Sequence, residues 1–350
     1  MRGFPAALPT SRIPDSSSAP AISWGIAGPG WIAERFTESV QAHTHQRITA
    51  VGSRSAERAA AFARTYGIAT SHGSYAELAA DPEVDIVYVA TPHPQHFEVA
   101  MTAIEAGKHV LVEKPMGITG EQVRLLAEAA AECGVFAAEA LWTFFLPKFD
   151  VIDQLLEAGV LGEIVSVFAE YGEYFEPGHR IFDPALAGGP LLDLGTYPLA
   201  FVNRVLGVPD TVAAIGSPHP SGVNGQLSAV LGFGSGAQGT VNTNLYNFTP
   251  TEAVIVGTEA TLRIDGLFNM PGGFTLRHSD GRELRYEEPA GAHFEGLHFE
   301  AAAVARAITA GLKQAPQRSL ADSITTLDLA DEIRARTGIS FPDTITASRE

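Results

Sequence analysis

The sequence predicts an α/β protein with two domains, and three observations support this fold class. The chain has 350 residues, a length typical of about two domains. Between residues 21 and 142, short apolar runs alternate with segments of helical periodicity, as in a doubly wound parallel sheet. After residue 142, strand-like runs are separated by Gly, Pro and Asn. This second pattern predicts an α+β domain with a large open, mostly antiparallel sheet.

The expected elements divide the chain into a tail and two domains. Residues 1–20 are rich in proline and serine, which predicts a flexible tail, and the domains comprise residues 21–142 and 143–350. In the parallel-sheet domain, strands are expected at 22–27, 48–51, 84–90, 109–112 and 135–139, and helices at 31–42, 56–66, 75–80, 96–106 and 120–133. Two helices end the chain, Glu295–Ala310 and Leu320–Arg336, and their packing against the first domain is an open alternative.

The charge balance excludes some classes of partner. The chain carries 40 Asp and Glu against 23 Lys and Arg, a formal net charge of −17. It therefore lacks the basic surface that nucleic acids and anionic membranes attract, and neither is expected as a partner. No stretch approaches the roughly 18 apolar residues of a spanning helix, and residues 1–20 lack the apolar core of a signal peptide. The single Cys133 cannot form an internal disulfide, so we expect a cytoplasmic protein.

A glycine-rich turn follows the first expected strand. Gly28, Gly30 and Ala33 form the pattern G-x-G-x-x-A, in which the glycines allow a tight turn and a close backbone approach to a pyrophosphate. The helix that follows offers its N-terminal N–H groups to the phosphates. Because the turn lies between a strand and a helix, it predicts a Rossmann dinucleotide-binding domain rather than an ordinary tight turn. The residues expected to contact the cofactor here are Gly28, Pro29, Gly30, Trp31 and Ile32.

The end of the second strand indicates which dinucleotide is bound. NAD sites usually place Asp or Glu here to bind the ribose 2′-hydroxyl, whereas this chain has Ser53 and Arg54. Both side chains can bind a 2′-phosphate, the arginine through charge-assisted hydrogen bonds. We therefore expect NADP. The alternative is that Arg54 is an ordinary surface residue and that NAD is also used.

Two further loops follow strands at the carboxyl edge of the sheet, where doubly wound folds bind ligands. The first contains Thr91, Pro92, His93 and His96, all expected near the cofactor, although His96 could equally stabilise the next helix. The second is Glu113-Lys114-Pro115. The chain has only four lysines, so Lys114 at this edge stands out. Its ammonium group can bind a reacting oxygen or lower the pKa of a neighbouring acid.

The segment 188–197 combines a glycine pair with a carboxylate and a phenol. Asp193 and Tyr197 are four residues apart, and on one helix starting near Pro190 they would share a face. A carboxylate can bind a substrate hydroxyl, and a phenol can exchange a proton with one. The reference pKa of tyrosine, roughly 10, is too high for a base at neutral pH unless a cation lowers it. A helix surface pair without function is the alternative.

Together these segments resemble the Gfo/Idh/MocA oxidoreductase family. The resemblance rests on GIAGPGWIA, VYVATPHPQHFEVAMTAIEAGKHVLVEKPMGIT, EALWTFFLP and GGPLLDLGTYPL, and it covers about residues 21–340. Within the family, TPHPQH, EALW and D-x-G-x-Y are most similar to the NADP-dependent dihydrodiol/D-xylose dehydrogenase branch. Many relatives have histidine at the position of Tyr197, and the tyrosine favours this branch.

The resemblance implies a Rossmann domain followed by an open sheet that buries its free face between copies, hence a homodimer or a dimer of dimers. It also implies that Lys114, Asp193 and Tyr197 line the active site. Trp142 and Phe145 would lie near the nicotinamide or the substrate, or else form core between the domains. The loop 171–183 carries further expected substrate contacts, namely Tyr174, Phe175, His179 and Arg180. No metal is expected.

The function expected from these residues is hydride transfer between NADP and a hydroxyl of a sugar, polyol or cyclic diol. In this hypothesis Tyr197 takes the hydroxyl proton, Lys114 lowers the pKa of Tyr197, and Asp193 holds a neighbouring hydroxyl. Two alternatives remain. One is a redox-neutral glycosidase that retains NAD(H), and the other is a non-enzymatic NADP-binding regulator.

Overall fold

The computed structural model describes residues 3–288 and 296–342. Its contacts divide the chain into two compact units, neither of which is continuous in sequence. The nucleotide unit, as we call it, comprises residues 14–145 and 296–324. The sheet unit comprises residues 3–13, 146–288 and 325–342.

The nucleotide unit is built on a six-stranded parallel sheet with the order β3-β2-β1-β4-β5-β6. Its strands are β1 (Ser23–Ala27), β2 (Arg47–Gly52), β3 (Thr70–His72), β4 (Ile86–Val89), β5 (His109–Glu113) and β6 (Ala137–Ala140). The helices between them are α1 (Trp31–His43), α2 (Ala56–Tyr66), α3 (Tyr75–Ala80), α4 (His96–Glu105) and α5 (Gly120–Glu132). All residues of β1, β4 and β6 are buried, as expected of strands covered on both faces.

Aromatic side chains form the core beside β1 and β4. Trp24, Phe36 and Tyr88 are fully buried, and the rings of Phe36 and Tyr88 stack with their centroids 3.9 Å apart. Phe36 reaches this position because α1 presents its apolar face to the sheet. The apolar runs and helical periodicity of this region therefore produce the predicted parallel sheet.

The sheet unit contains eight strands with the order β14-β13-β12-β11-β7-β10-β9-β8. They are β7 (Ile164–Gly172), β8 (Thr211–Pro218), β9 (Asn224–Gly232), β10 (Gln238–Asn244), β11 (Ala253–Gly257), β12 (Ala260–Ile264), β13 (Phe274–His278) and β14 (Glu283–Tyr286). Only the pairing of β7 with β10 is parallel among these strands; the other six pairings are antiparallel. The helices preceding β8 are α6 (Pro147–Glu157), α7 (Pro190–Asp193) and α8 (Thr196–Leu206). The expectation of a mostly antiparallel sheet is thus confirmed.

The two faces of this sheet differ. Helix α8 packs on β7 and β10 and covers one face. On the strands the side chains alternate, so that Val167, Leu227 and Leu231 are buried while Phe168 and Val230 are about half exposed. Ile215 of β8 is 80% exposed. The face opposite α8 therefore presents apolar side chains to solvent in the single chain.

Two helices close the described part of the chain: α9 (Leu297–Thr309) and α10 (Leu320–Thr337). Helix α9 belongs to the nucleotide unit and packs on α1, whereas most of α10 belongs to the sheet unit. Glu295, where we expected the first of these helices to begin, lies outside the described residues. Among the described residues, none of the helices combines the length and apolar character required of a membrane span.

The N-terminal segment makes specific contacts in both units. In the sheet unit, the Arg12 guanidinium pairs with Asp150 of α6 at 2.7 Å. In the nucleotide unit, Ser16–Ser18 form a short 3-10 turn, and Nδ1 of His298 on α9 lies 2.8 Å from the Ser16 hydroxyl. Met1 and Arg2 lie outside the described residues, and the flexibility of residues 1–20 stays a prediction.

Candidate active site

The glycine turn between β1 and α1 has the geometry of a phosphate loop. Gly28 has a φ of 94°, and a Cβ atom there would lie 3.0 Å from the carbonyl oxygen of Ala90. Only glycine fits this position without strain. A Cβ at Gly30 would meet nothing within 4 Å, so the backbone is open at the start of α1. Pro29 is buried and Trp31 is 58% exposed. The turn thus suits a dinucleotide pyrophosphate at a helix N-terminus.

The end of β2 carries more positive charge than the sequence analysis anticipated. Ser53 is buried, and its hydroxyl accepts a hydrogen bond from the Ser55 amide at 3.2 Å. Arg54 is exposed and lies near the Tyr75 phenol. Arg58, in the first turn of α2, donates to the Pro29 carbonyl at 3.1 Å and so lies beside the glycine turn. Sequence reasoning missed Arg58: Arg54 precedes the N-cap residue Ser55, so no helical spacing relates the two arginines.

The loop after β4 is tied to the loop after β5 by one buried histidine. His96 is 1% exposed, and its Nε2 lies 2.7 Å from the Thr91 carbonyl oxygen, while its Nδ1 lies 2.8 Å from the Pro115 carbonyl oxygen. The Lys114–Pro115 peptide bond is cis. His96 therefore holds the two loops together. His93 is also buried, with its ring centroid 5.6 Å from that of His96.

Glu113, which precedes Lys114, has an unusual environment. It is buried, its Oε1 accepts a short hydrogen bond from the Tyr88 hydroxyl, and its Oε2 accepts one from the Lys114 amide at 3.1 Å. Burial raises the pKa of Glu113 to about 7, although the Tyr88 hydroxyl and the Lys114 charge act to lower it. Lys114 itself is half-buried.

A second buried carboxyl group near Glu113 was missed. Glu300 on α9 is fully buried, and neither of its oxygens has a hydrogen-bond partner among the described residues. Burial, together with the charge of Glu113, raises the pKa of Glu300 well above its ordinary value. In the sequence, one glutamate in an amphipathic helix resembles any solvated residue, so only the tertiary structure identifies it.

The turn after β6 places two aromatic candidates in the interior. Trp142 and Phe145 begin and end a 3-10 turn, and they are 4% and 1% exposed. Helix α9 packs on this turn within the nucleotide unit. Their contact with a nicotinamide or substrate stays a prediction.

In the sheet unit, Asp193 and Tyr197 lie on two different helices, so the expectation of one continuous helix is wrong. Helix α7 ends at Asp193 and α8 begins at Thr196. The amide of Gly195 donates to the Pro190 carbonyl at 2.7 Å, five residues back rather than the four of an α-helix, and α7 ends here. Both Asp193 and Tyr197 are nevertheless nearly buried, at 6% and 8% exposure.

The surroundings of Asp193 and Tyr197 include one cation and a second phenol. Arg180 pairs with Asp193 at 3.0 Å. The ring of Tyr171 lies 5.8 Å from that of Tyr197, and its hydroxyl donates to Glu173 at 3.1 Å. Burial and Glu173 raise the pKa of Tyr171, so this phenol stays protonated. Sequence reasoning did not single out Tyr171 as a site residue.

Of the remaining candidates in the loop 171–183, Tyr174 and His179 are exposed and Phe175 is half-buried. Tyr174 is 45% exposed, and the ring of Phe175 stacks on His179 with the centroids 4.7 Å apart. Burial and the nearby Arg180 lower the pKa of His179, which favours its neutral form. Within residues 3–288 and 296–342, no three His, Cys, Asp or Glu side chains are grouped so as to hold a metal ion.

Comparisons with known proteins agree with this architecture. A family model described as an oxidoreductase family with an NAD-binding Rossmann fold matches residues 22–140, and the Gfo/Idh/MocA C-terminal domain matches residues 149–263. Trans-1,2-dihydrobenzene-1,2-diol dehydrogenase from Bos taurus is 33% identical, covering 92% of this chain and 98% of the bovine one. The enzyme of that name from Mus musculus is 34% identical at the same coverage.

Solved structures extend the similarity to the whole fold. A 3-ketoreductase from Actinomadura kijaniata, in complex with NADP and TDP-benzene, has a TM-score of 0.80 at 26% identity over 91% of this chain and 98% of its own. Levoglucosan dehydrogenase, in complex with NADH and levoglucosan, has a TM-score of 0.82 at 22% identity and the same coverage, and it shows the fold alone. Sequence models, relatives and fold agree: the chain belongs to the Gfo/Idh/MocA oxidoreductase family.

Proposed function

We propose that this protein is an NADP-dependent dehydrogenase that acts on a secondary hydroxyl of a sugar or cyclic diol. The observation that carries the proposal is the glycine turn with Ser53, Arg54 and Arg58 beside it, in a chain whose relatives are named dihydrodiol dehydrogenases. The 3-ketoreductase with a similar fold was solved with NADP, which supports the same cofactor class.

The cofactor would be held by residues of the nucleotide unit. The backbone at Gly28–Ile32 suits the pyrophosphate, because the path to Gly30 is open. Ser53, Arg54 and Arg58 suit the 2′-phosphate, since a guanidinium group binds phosphate oxygens with paired hydrogen bonds. Bound NADP⁺ supplies the hydride acceptor, and the protein supplies orientation and proton transfer.

We assign the proton chemistry to Lys114, Asp193 and Tyr197. Tyr197 accepts the proton of the substrate hydroxyl as the hydride leaves the same carbon, so the alcohol becomes a carbonyl. Lys114 stabilises the phenolate and the substrate oxygen, because a cation favours an adjacent anion. Asp193 accepts a hydrogen bond from a neighbouring hydroxyl and fixes the substrate's orientation. The family resemblance of these three positions supports the assignment.

Turnover measurements test the proposal. The purified protein is given NADP⁺ or NAD⁺ with dihydrodiols, pentoses, hexoses and inositols, and the absorbance of the reduced nicotinamide is followed. We expect net reduction, with a higher kcat/KM for NADP⁺. Lys114→Ala should lower kcat by roughly 10²–10⁴-fold, whereas Lys313→Ala, which removes an exposed lysine, should not.

Other results would point to the alternatives. Substrate turnover without net reduction, by protein that copurifies with NAD(H), would indicate a redox-neutral glycosidase. Tight cofactor binding with no turnover of any kind would indicate a regulator. Near-normal kcat in Lys114→Ala would refute the catalytic assignment, and a preference for NAD⁺ would refute the phosphate site.

We also propose that the open face of the eight-stranded sheet binds a second copy of the chain. Support comes from its exposed apolar side chains, Phe168, Ile215 and Val230, because monomers rarely leave such a face uncovered. Sedimentation of the wild type should give a dimer or a dimer of dimers, and Phe168→Glu should shift it toward the monomer. A monomeric wild type at micromolar concentration would contradict this proposal.

A further inference from the structure

We infer that Arg180 is a positioning residue, whose guanidinium holds the carboxylate of Asp193 ready to accept a hydrogen bond from the substrate. The inference rests on the proposed function, in which Asp193 binds a substrate hydroxyl. Arg180 does not enter the chemistry itself, since it acts through Asp193.

The contact between the two side chains is made by one guanidinium nitrogen. Nη2 of Arg180 lies 3.0 Å from Oδ2 and 3.3 Å from Oδ1 of Asp193. The aspartate side chain is 9% exposed and the arginine side chain 42%. A carboxylate has about four lone-pair positions, so one guanidinium nitrogen does not use up its capacity to accept hydrogen bonds. The exposed side of Arg180 keeps the pair accessible from solvent.

The backbone fixes the two residues relative to each other. Arg180 begins a 3-10 turn that ends at Phe182, and the Gly189 amide donates to the Ile181 carbonyl of this turn at 2.7 Å. The Gly188 amide donates to the Asp183 carbonyl at 3.0 Å. A Cβ atom at Gly188 would collide with the Ile181 carbonyl, so the close approach requires glycine. The turn carrying Arg180 is therefore joined to the loop that leads into α7 by two backbone hydrogen bonds.

The groups around this pair make the cation important. The charge of Asp193 acts on Tyr171 and on His179. The ring of Tyr197 lies beside that of Tyr171, and Glu173 accepts a hydrogen bond from the Tyr171 hydroxyl. Two of these neighbours are phenols, one is a carboxylate, and His179 favours its neutral form. Loss of the guanidinium would remove the ion pair that restrains the nearly buried Asp193 carboxylate. The carboxylate would then no longer be held in one orientation toward the substrate.

The test compares Arg180→Ala and Arg180→Lys with a matched control. Arg204→Ala removes the guanidinium from another half-buried Arg–Asp pair of the sheet unit, with Asp153. We expect Arg180→Ala to raise KM for the substrate by about tenfold or more, with an unchanged KM for NADP⁺ and a smaller change in kcat. Millimolar guanidinium should restore the substrate KM, neutral urea should not, and Arg180→Lys should retain part of the affinity. Arg204→Ala should keep the wild-type substrate KM.

The outcomes separate this inference from the proposed function. A wild-type substrate KM in Arg180→Ala, or equal restoration by urea and guanidinium, would overturn the inference. If Arg180→Ala folds poorly, Arg180→Met takes its place. A substrate KM of folded Arg180→Lys that lies between those of wild type and folded Arg180→Met supports the inference. Any other order of the three KM values overturns it. If the wild type oxidises no substrate, the proposed function fails. The pair itself is then tested by a double-mutant cycle of thermal unfolding with Arg180→Ala and Asp193→Asn, in which additive effects overturn it.

Discussion

Two buried glutamates of the nucleotide unit have the same side chain and the same burial but opposite surroundings. Glu139, at the end of β6, is 1% exposed and accepts hydrogen bonds from Arg318 at 2.9 Å, the Ser323 hydroxyl at 2.8 Å and the Met116 amide at 3.0 Å. Glu300 on α9 is fully buried with no hydrogen-bond partner for its oxygens among the described residues. The first has its charge compensated, whereas burial raises the pKa of the second.

Glu113 is intermediate between these two residues. Its partners are a hydroxyl and a backbone amide rather than a guanidinium, and burial raises its pKa to about 7. The comparison teaches that burial alone does not decide the state of a carboxyl group. The partner decides it, and the three glutamates should respond differently to loss of their surroundings.

The largest effect on stability should come from removing Arg318, the cation that pairs with Glu139. Arg318→Met leaves Glu139 buried without its ion pair, and we expect the free energy of unfolding at neutral pH to fall by about 3–5 kcal/mol. Urea denaturation measures this change. The control is Arg124→Met, which breaks an exposed pair with Glu121 and should cost less than about 1 kcal/mol. Equal losses in the two variants would show that Arg318 does not compensate Glu139.

The next effect concerns Glu300, whose oxygens have no hydrogen-bond partner in the described part of the chain. Its folded pKa is raised above the ordinary 4.5, so the folded protein binds this proton more tightly than the unfolded chain. Wild-type stability should therefore fall as the pH rises above the unfolded pKa, and Glu300→Gln should lack this contribution. From pH 5 upward, and only as far as the folded pKa of Glu300, the stability of Glu300→Gln relative to wild type should rise by at most about 1.4 kcal/mol per pH unit.

Urea denaturation across this pH range provides the measurement, with Glu128→Gln as the control because Glu128 is exposed on α5. A stability difference between Glu300→Gln and wild type that does not change with pH would mean that Glu300 is ionised in the folded protein.

The smallest effect on stability is expected from changing the surroundings of Glu113. Tyr88→Phe removes the hydroxyl that lowers the pKa of Glu113, so this pKa should rise above about 7. A raised carboxyl pKa destabilises further as pH increases. Wild-type Glu113 already gives part of this loss, hence the variant should lose up to about 1 kcal/mol more than wild type between pH 7 and pH 8. Tyr66→Phe is the control, since its hydroxyl contacts the exposed Glu38. Parallel pH profiles of Tyr88→Phe and wild type would refute the role of Tyr88.

Local patterns predicted most of the nucleotide unit. Helices α2 and α3 have the expected bounds, and Gly28 has the positive φ that its turn requires. Strand β3 was not predicted, because it has three residues, Thr70–His72, none of them buried, and so shows no apolar period. Short polar edge strands are defined by their neighbours rather than by their own sequence.

The candidate site was predictable only in part. Lys114, Asp193 and Arg180 were identified from their motifs or their loop, but the pairing of Arg180 with Asp193 depends on a turn that sequence does not determine. The buried state of Glu300 was missed because it depends on contacts between residues far apart in the chain, which leave no local pattern. The helix break at Gly195 involves a local bond from its amide to the Pro190 carbonyl, which the spacing of Asp193 and Tyr197 does not reveal.

The position of β7 has a consequence for how the sheet unit assembles. Strands β8–β10 and β11–β14 are two meanders whose members are neighbours in sequence, and β7 alone joins them. Its parallel partner β10 begins at Gln238, long after β7 ends at Gly172, so this pairing must close a long loop. That loop contains Arg180, Asp193 and Tyr197. The pairing of one central strand therefore completes the sheet and also fixes the two ends of the loop that carries these three residues.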